Sequence, residues 1–171
     1  GRVIFGAEIV TPGRVQVTVC ADDVIIGSAL PGAGPALRHS IARAAAMIKE
    51  AGIPCRAVED VQPYLWAKAF YNCALNPLGA LLGVNYGRLH DNAHTRRIMN
   101  GVIREAFAVA VSKGIKLPWK DADAYLYDFY ARLLPPTRDH RPSMLHDLER
   151  GRRTELDALN VKIVAYGRET G

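Results

Sequence analysis

Near residue 30 the chain changes character, from short β-branched segments to helical periodicity that runs on to its end. Before that point, VIFGAEIV (3–10), RVQVTV (14–19) and DVIIGS (23–28) are separated by turn signals at Thr11-Pro12-Gly13 and Ala21-Asp22-Asp23. Such segments read as three strands of a meander. No helix is expected between them, so the connections should be tight and the pairing antiparallel. Two or three strands alone make a poor independent fold, so a partner for this sheet is expected.

After the loop Leu30-Pro31-Gly32-Ala33-Gly34-Pro35, which reads as a linker, Leu37, Ile41, Ala44 and Ile48 recur on one helical face. Gly52 should stop that helix. A second helix is expected from about Val61 or Gln62, with Pro63 in its first turn, where a missing N–H costs nothing. A third should run from about Ala93 to Lys113, with Ile98, Val102, Phe107 and Val109 facing inward. Asp121 to Leu134 reads as a fourth, capped by Asp121 and closed by Pro135-Pro136. Further helices are expected from Ser143 to Arg150 and from Arg153 to about Tyr166.

With 49 % hydrophobic and 23 % charged residues among 171, the chain has globular rather than disordered composition. No run approaches the roughly 18 apolar residues of a membrane span. The first residues lack the apolar core and cleavage site of a signal peptide. A soluble, cytoplasmic protein is the expectation. Cys20, Cys55 and Cys73 are odd in number and form no CxxC pair, which argues against a disulfide framework or a zinc site. Cys73, in an apolar helical stretch, reads as a small buried hydrophobe. The net charge of +5 suits an anionic metabolite. Nucleic acid is disfavoured, because no aromatic residues interleave with the basic cluster Arg150, Arg152 and Arg153.

Two stretches carry chemistry. In YLWAKAFYNCALNPLGALLG (64–83), Lys68, Asn72 and Asn76 lie four apart, a narrow polar stripe on an otherwise apolar helix. Such groups are costly there unless they have partners. The spacing fits a functional site, and it fits equally a stripe facing solvent or bonded to nearby backbone. In HRPSMLHDLERGRRTELDALN (140–160), Ser143 after Pro142 reads as a helix N-cap. Glu155 and Asp157 then fall in the first turn of the next helix, where the macrodipole favours carboxylates.

Together, Lys68-x3-Asn72-x3-Asn76-Pro77-Leu78 and Ser143-Met144-x2-Asp147-x5-Arg153-Thr154-Glu155-x-Asp157 resemble the two signatures of ketopantoate reductases. The segments around Thr11-Pro12-Gly13 and Ile26-Gly27 resemble the last strands of that family's Rossmann domain. The resemblance implies a mainly α fold: a helical C-terminal domain like that of 6-phosphogluconate dehydrogenase, preceded by a small antiparallel β remnant of a Rossmann domain. Residues 1–59 would be the end of a nucleotide-binding domain and residues 60–171 the substrate-binding, catalytic domain, itself continuing beyond Gly171. It also implies NADPH-dependent reduction of 2-dehydropantoate to pantoate. Lys68 would be the general acid, and Glu155 would anchor the substrate hydroxyl and Lys68. Asn72, Asn76 and Ser143 would bind substrate, and Asn85 stands near a further substrate asparagine of the family. Val161 stands where the family usually has Gly.

The family's GxGxxG loop is not among these residues, and Gly32-Ala33-Gly34 lacks its third glycine. The chain alone is therefore expected to bind NADPH weakly and to be inactive by itself. Assembly stays open, a homodimer included. The rival readings are a reductase of another 2-oxo acid, a non-catalytic helical interaction module, and a metal protein using His90 and His94. Those two histidines lack an evident third ligand.

Overall fold

In the computed structural model, which describes residues 1–30 and 32–170, strand β1 (Arg2–Thr11) turns through Pro12 and Gly13 into the long strand β2 (Arg14–Ser28). Gly13 takes φ +82°, a left-handed conformation that glycine adopts without strain. Pro31 of the expected linker, and Gly171 at the end of the expected second domain, lie outside the described residues.

The expected turn at Ala21-Asp22-Asp23 does not form, because β2 runs straight through it. Asp22 is paired with the buried guanidinium of Arg2, 2.5 Å away on β1, and Asp23 lies 3.9 Å from Arg56. Cross-strand pairing lets a sheet keep acids that otherwise favour turns. The register passes from Arg2↔Ile25 to Ile4↔Asp22, so β2 has one more residue than β1 over this span, the signature of a bulge.

The third strand lies elsewhere. Helix α1 (Pro35–Glu50) crosses over to β3 (Cys55–Asp60), which pairs parallel to β2 with Val24 opposite Cys55 and Ile26 opposite Ala57. The sheet has order β1-β2-β3 and is mixed: one hairpin followed by one β–α–β crossover. Ala45 packs with Val24 and Cys55, and Phe5, Ile26 and Ile48 close around them. Leu37, expected on that face, is 48 % exposed near the start of α1. Gly52, at φ +86°, ends the helix as expected.

Helix α2 (Gln62–Leu82) follows β3, and then come α3 (Tyr86–Asp91), α4 (Ala93–Ser112), α5 (Ala122–Asp128), α6 (Ser143–Glu149) and α7 (Asn160–Thr170). The chain divides into two units, Gly1–Lys68 and Ala69–Gly171. The mainly helical architecture with a small sheet at its start is as expected.

In the second unit Phe70, Leu75, Leu89, Met99, Ile103, Tyr125 and Phe129 are fully buried. The buried face of α4 is Met99, Ile103, Ala106, Phe107 and Ala110. The expected face was rotated from it: Ile98 is 51 % exposed, and of the expected four only Phe107 is buried. Side-chain hydrophobicity favours Ile and Val, but the small Ala106 and Ala110 face the interior.

Asp121 caps α5 by accepting from the N–H of Ala124 at 2.8 Å. A π-helical turn, Phe129–Leu133, continues that helix, and a 3₁₀ turn at Pro135–Thr137 closes it.

Candidate functional site

Helix α2 carries the polar stripe, and its own sequence makes it an imperfect helix. Pro77 sits inside it and has no N–H, so the carbonyl of Cys73 lacks its usual donor four residues on. Asn160, at the start of α7, fills that gap: its Nδ2 donates to the Cys73 oxygen at 3.1 Å. The other end of the same amide, Oδ1, is buried and has no hydrogen-bond partner.

Two residues past Pro77 on α2, Gly79 permits a close approach. A Cβ at that position would meet Pro142 Cγ at 2.6 Å and the Val84 carbonyl at 3.1 Å. Ala80 then packs with Met144 and Leu145 of α6, and Leu159 joins them from the approach to α7. Asn160, Gly79 and this apolar cluster thus dock three segments on one stretch of α2. Two of them belong to the stretches that carry Ser143 and Glu155, 67 and 79 positions beyond Asn76 of α2.

Each predicted side chain has a definite setting. Lys68 and Asn72 are half-buried, one helical turn apart, Lys68 closing the first unit and Asn72 lying in the second. Asn76 is 4 % exposed, and its Oδ1 accepts from the hydroxyl of Tyr86 at 2.5 Å. Burial, reinforced by Tyr71, pushes the Tyr86 hydroxyl well above its ordinary value, so it stays a donor. The Tyr71 ring meets Tyr86 edge-on at 5.8 Å, and its hydroxyl is hydrogen-bonded to Thr137. Burial raises Tyr71 to about 12. Two buried tyrosines therefore brace Asn76 and fix which way its amide points.

Ser143 is not the N-cap. It is the first residue of α6, while the Pro142 carbonyl accepts from the N–H groups of Leu145 and His146. Its side chain is exposed rather than folded back on the helix. Glu155 and Asp157 also fall outside the last helix. They form a separate 3₁₀ turn, Glu155–Asp157, and α7 begins only at Asn160. The break lets Leu159 and Asn160 turn toward α2. Glu155 is exposed, and Asp157 is paired with Arg153 at 2.5 Å.

Asn85 caps α3, its Oδ1 accepting from the N–H of Arg88 at 3.1 Å, so only its NH₂ is left for a ligand. His90 faces Asp91 at 3.3 Å and the Arg138 guanidinium at 3.1 Å. Among the described residues no group of three His, Cys, Asp or Glu could hold a metal ion. The three cysteines are free, and burial raises the Cys73 thiol to about 11. Among the described residues, no helix is long and apolar enough to cross a membrane.

Tyr86, Gly79 and Asn160 are supports that sequence reading missed. Pro77 was the available signal, since a proline within a helix leaves a carbonyl that must find a donor elsewhere. Replacing Tyr86 by Phe should cost about 1–3 kcal/mol by stranding a buried amide oxygen. Urea denaturation would measure it. A loss below about 0.5 kcal/mol would mean that the Asn76 oxygen finds another donor.

Comparisons with known proteins identify the family. The model of the family "Ketopantoate reductase PanE/ApbA C terminal" matches residues 60–171. The chain belongs to this family. A 2-dehydropantoate 2-reductase from Aquifex aeolicus (strain VF5) is 46 % identical over 170 residues, 99 % of this chain and 54 % of the relative. The chain thus spans about half the length of the curated relatives it matches. A crystal structure of a family member from Ralstonia eutropha JMP134 superimposes with TM-score 0.75 at 32 % identity, covering 98 % of this chain and 51 % of that one. The ternary structure of D-mandelate dehydrogenase with NADH and anilino(oxo)acetate has the same fold at TM-score 0.82 and 22 % identity, covering 99 % and 53 %.

Proposed function

We propose that the protein reduces 2-dehydropantoate to pantoate with NADPH, residues 1–59 completing a nucleotide-binding domain and residues 60–171 forming the substrate domain. The observation that carries this reading is the docking of the Ser143 and Glu155 segments on the Asn76 stretch of α2. That docking brings the segments that carry a hydroxyl and a carboxylate onto the helix that carries the amides, which supports recognition of a small polar substrate.

The chemistry of these groups suits a ketone that becomes an alkoxide. NADPH would supply the hydride to the carbonyl carbon. As charge develops on the oxygen, the Lys68 ammonium stabilises it and gives up a proton to it. Asn72 and Asn76 orient the substrate by hydrogen bonds, with the Asn85 NH₂ as a further donor. The Ser143 hydroxyl donates to the substrate carboxylate, and Glu155 accepts from the substrate hydroxyl. The Tyr86 bond fixes the Asn76 amide oxygen, so Asn76 presents its NH₂ as donor.

The test is a turnover panel of 2-oxo acids on the full-length protein, each with NADPH and with NADH. 2-Dehydropantoate with NADPH should give the highest kcat/KM. Another 2-oxo acid preferred by more than about tenfold, or about 1.4 kcal/mol, would assign the protein to a different substrate in the same reaction class.

A further inference from the structure

Helix α4 opens AHTRRIMNGVIRE, and in it Arg96, Asn100 and Arg104 recur every four residues with Arg97 alongside. These four side chains, with His90 and Tyr130, line a cleft of about 520 Å³. That size lies within the roughly 300–1,000 Å³ of ordinary small-molecule sites. No Asp or Glu lines it. None of its lining residues belongs to the set assigned to the reduction.

The charge in this cleft is not neutralised. Arg104 is held by Asp123 at 2.8 Å, but among the described residues Arg96 and Arg97 form no ion pair. The nearby carboxylate of Asp91 is taken by Arg138, which meets both of its oxygens at 2.9 and 2.8 Å. Arg96 and Arg97 also stand near the positive end of the α4 macrodipole, and the first turn of that helix holds no acid. Folding alone gains nothing from that placement, whereas an anion in the cleft would make it favourable.

The wall opposite α4 is built with some care. Tyr130 lies on the π-helical turn Phe129–Leu133, a rare conformation that is frequent at functional sites. Its hydroxyl donates to Asn100 Oδ1 at 2.7 Å, which commits the amide oxygen and leaves the NH₂ for a ligand. Burial raises Tyr130 to about 12, so the hydroxyl keeps its proton and this orientation holds. The His90 ring leans on Tyr130 with centroids 5.5 Å apart and is bonded to Arg138 in turn.

We propose that this cleft binds a small phosphate-bearing anion, a phosphomonoester or a diphosphate, between the guanidinium forks of Arg96 and Arg97 with Asn100 as a neutral donor. A single carboxylate would satisfy one fork. A phosphoryl group, with three acceptor oxygens and up to about two charges, can engage both.

The probe is inorganic pyrophosphate, titrated at low ionic strength into the full-length protein with its nucleotide site saturated by NADPH. Backbone NMR shifts report where it binds. Saturable changes confined to residues 90–104 and to Tyr130 are expected. The double variant Arg96→Ala/Arg97→Ala removes two exposed side chains and should keep the circular dichroism of the parent. It should weaken pyrophosphate binding at least about tenfold, the worth of a charge-assisted hydrogen bond or more. Lys116→Ala, an exposed cation outside the cleft, should not weaken it. Shifts scattered over all exposed arginines, no saturation, or equal affinity in the double variant would each overturn the proposal.

Discussion

On the proposed function, replacing Lys68 by Ala in the full-length protein should lower kcat by about 10²–10⁴, the usual worth of a proton donor. The half-buried position on α2 sharpens the expectation. An ammonium partly withdrawn from water interacts more strongly with an oxyanion than one in bulk solvent does. Arg at 68 should not restore the rate, because a guanidinium is bulkier and holds its proton at neutral pH. Glu155→Ala should raise KM and lower kcat together, as expected for a residue assigned to the substrate hydroxyl in both ground and transition states. Steady-state kinetics at saturating cofactor separates these effects. A Lys68→Ala enzyme that kept more than about a tenth of kcat would leave Lys68 as a binding cation only.

The largest effect on stability is expected from Phe70→Ala. Phe70 is fully buried, meets Tyr125 edge-on at 5.2 Å, and lies 5.7 Å from the Phe107 ring. Removing it deletes a large apolar group and leaves a cavity that its aromatic neighbours cannot fill by turning. The cost should be about 3–5 kcal/mol. In a domain of this size each kcal/mol lowers Tm by roughly 2–4 °C, so a drop of roughly 6–20 °C is expected. Leu81→Ala, 80 % exposed on the same helix, serves as the control and should stay within about 0.5 kcal/mol. A Phe70→Ala protein as stable as that control would show that the aromatic cluster does not hold the second unit together.

Helix ends were legible in the sequence wherever a residue with a single strong backbone preference marks them. Gly52, Pro63 and Asp121 each do so, and the structure has helix boundaries at all three. Strand β3 was not legible. CRAVED contains one β-branched residue, lies at a sheet edge, and takes its partner from about 30 residues earlier across a helix. The two acids of β2 read as a turn because the arginines that pair with them come from other strands.

The stripe Lys68–Asn72–Asn76 could be read from spacing, since four-residue steps follow from helix geometry alone. What holds Asn76 could not. The bond from Tyr86 joins two helices across a turn, and no periodicity encodes such a contact. Ser143 looked like a cap because a Ser before an apolar run usually is one. Pro142 takes that position instead, its missing N–H being no loss there.

The proline within α2 has an evolutionary consequence. Pro77 creates an orphan carbonyl, and Asn160, 83 positions later, answers it. The proline is poorly placed without the amide. With a proline at 77, losing the amide at 160 strands the Cys73 oxygen. With any other residue at 77 the helix provides its own N–H, and Asn160 shares the Cys73 oxygen, whose two lone pairs can accept from both. The two sites are therefore epistatic in one direction: the amide at 160 can be lost cheaply only after the proline at 77 has gone. The order in which the two positions can change is thus set by backbone hydrogen bonding, independent of any substrate.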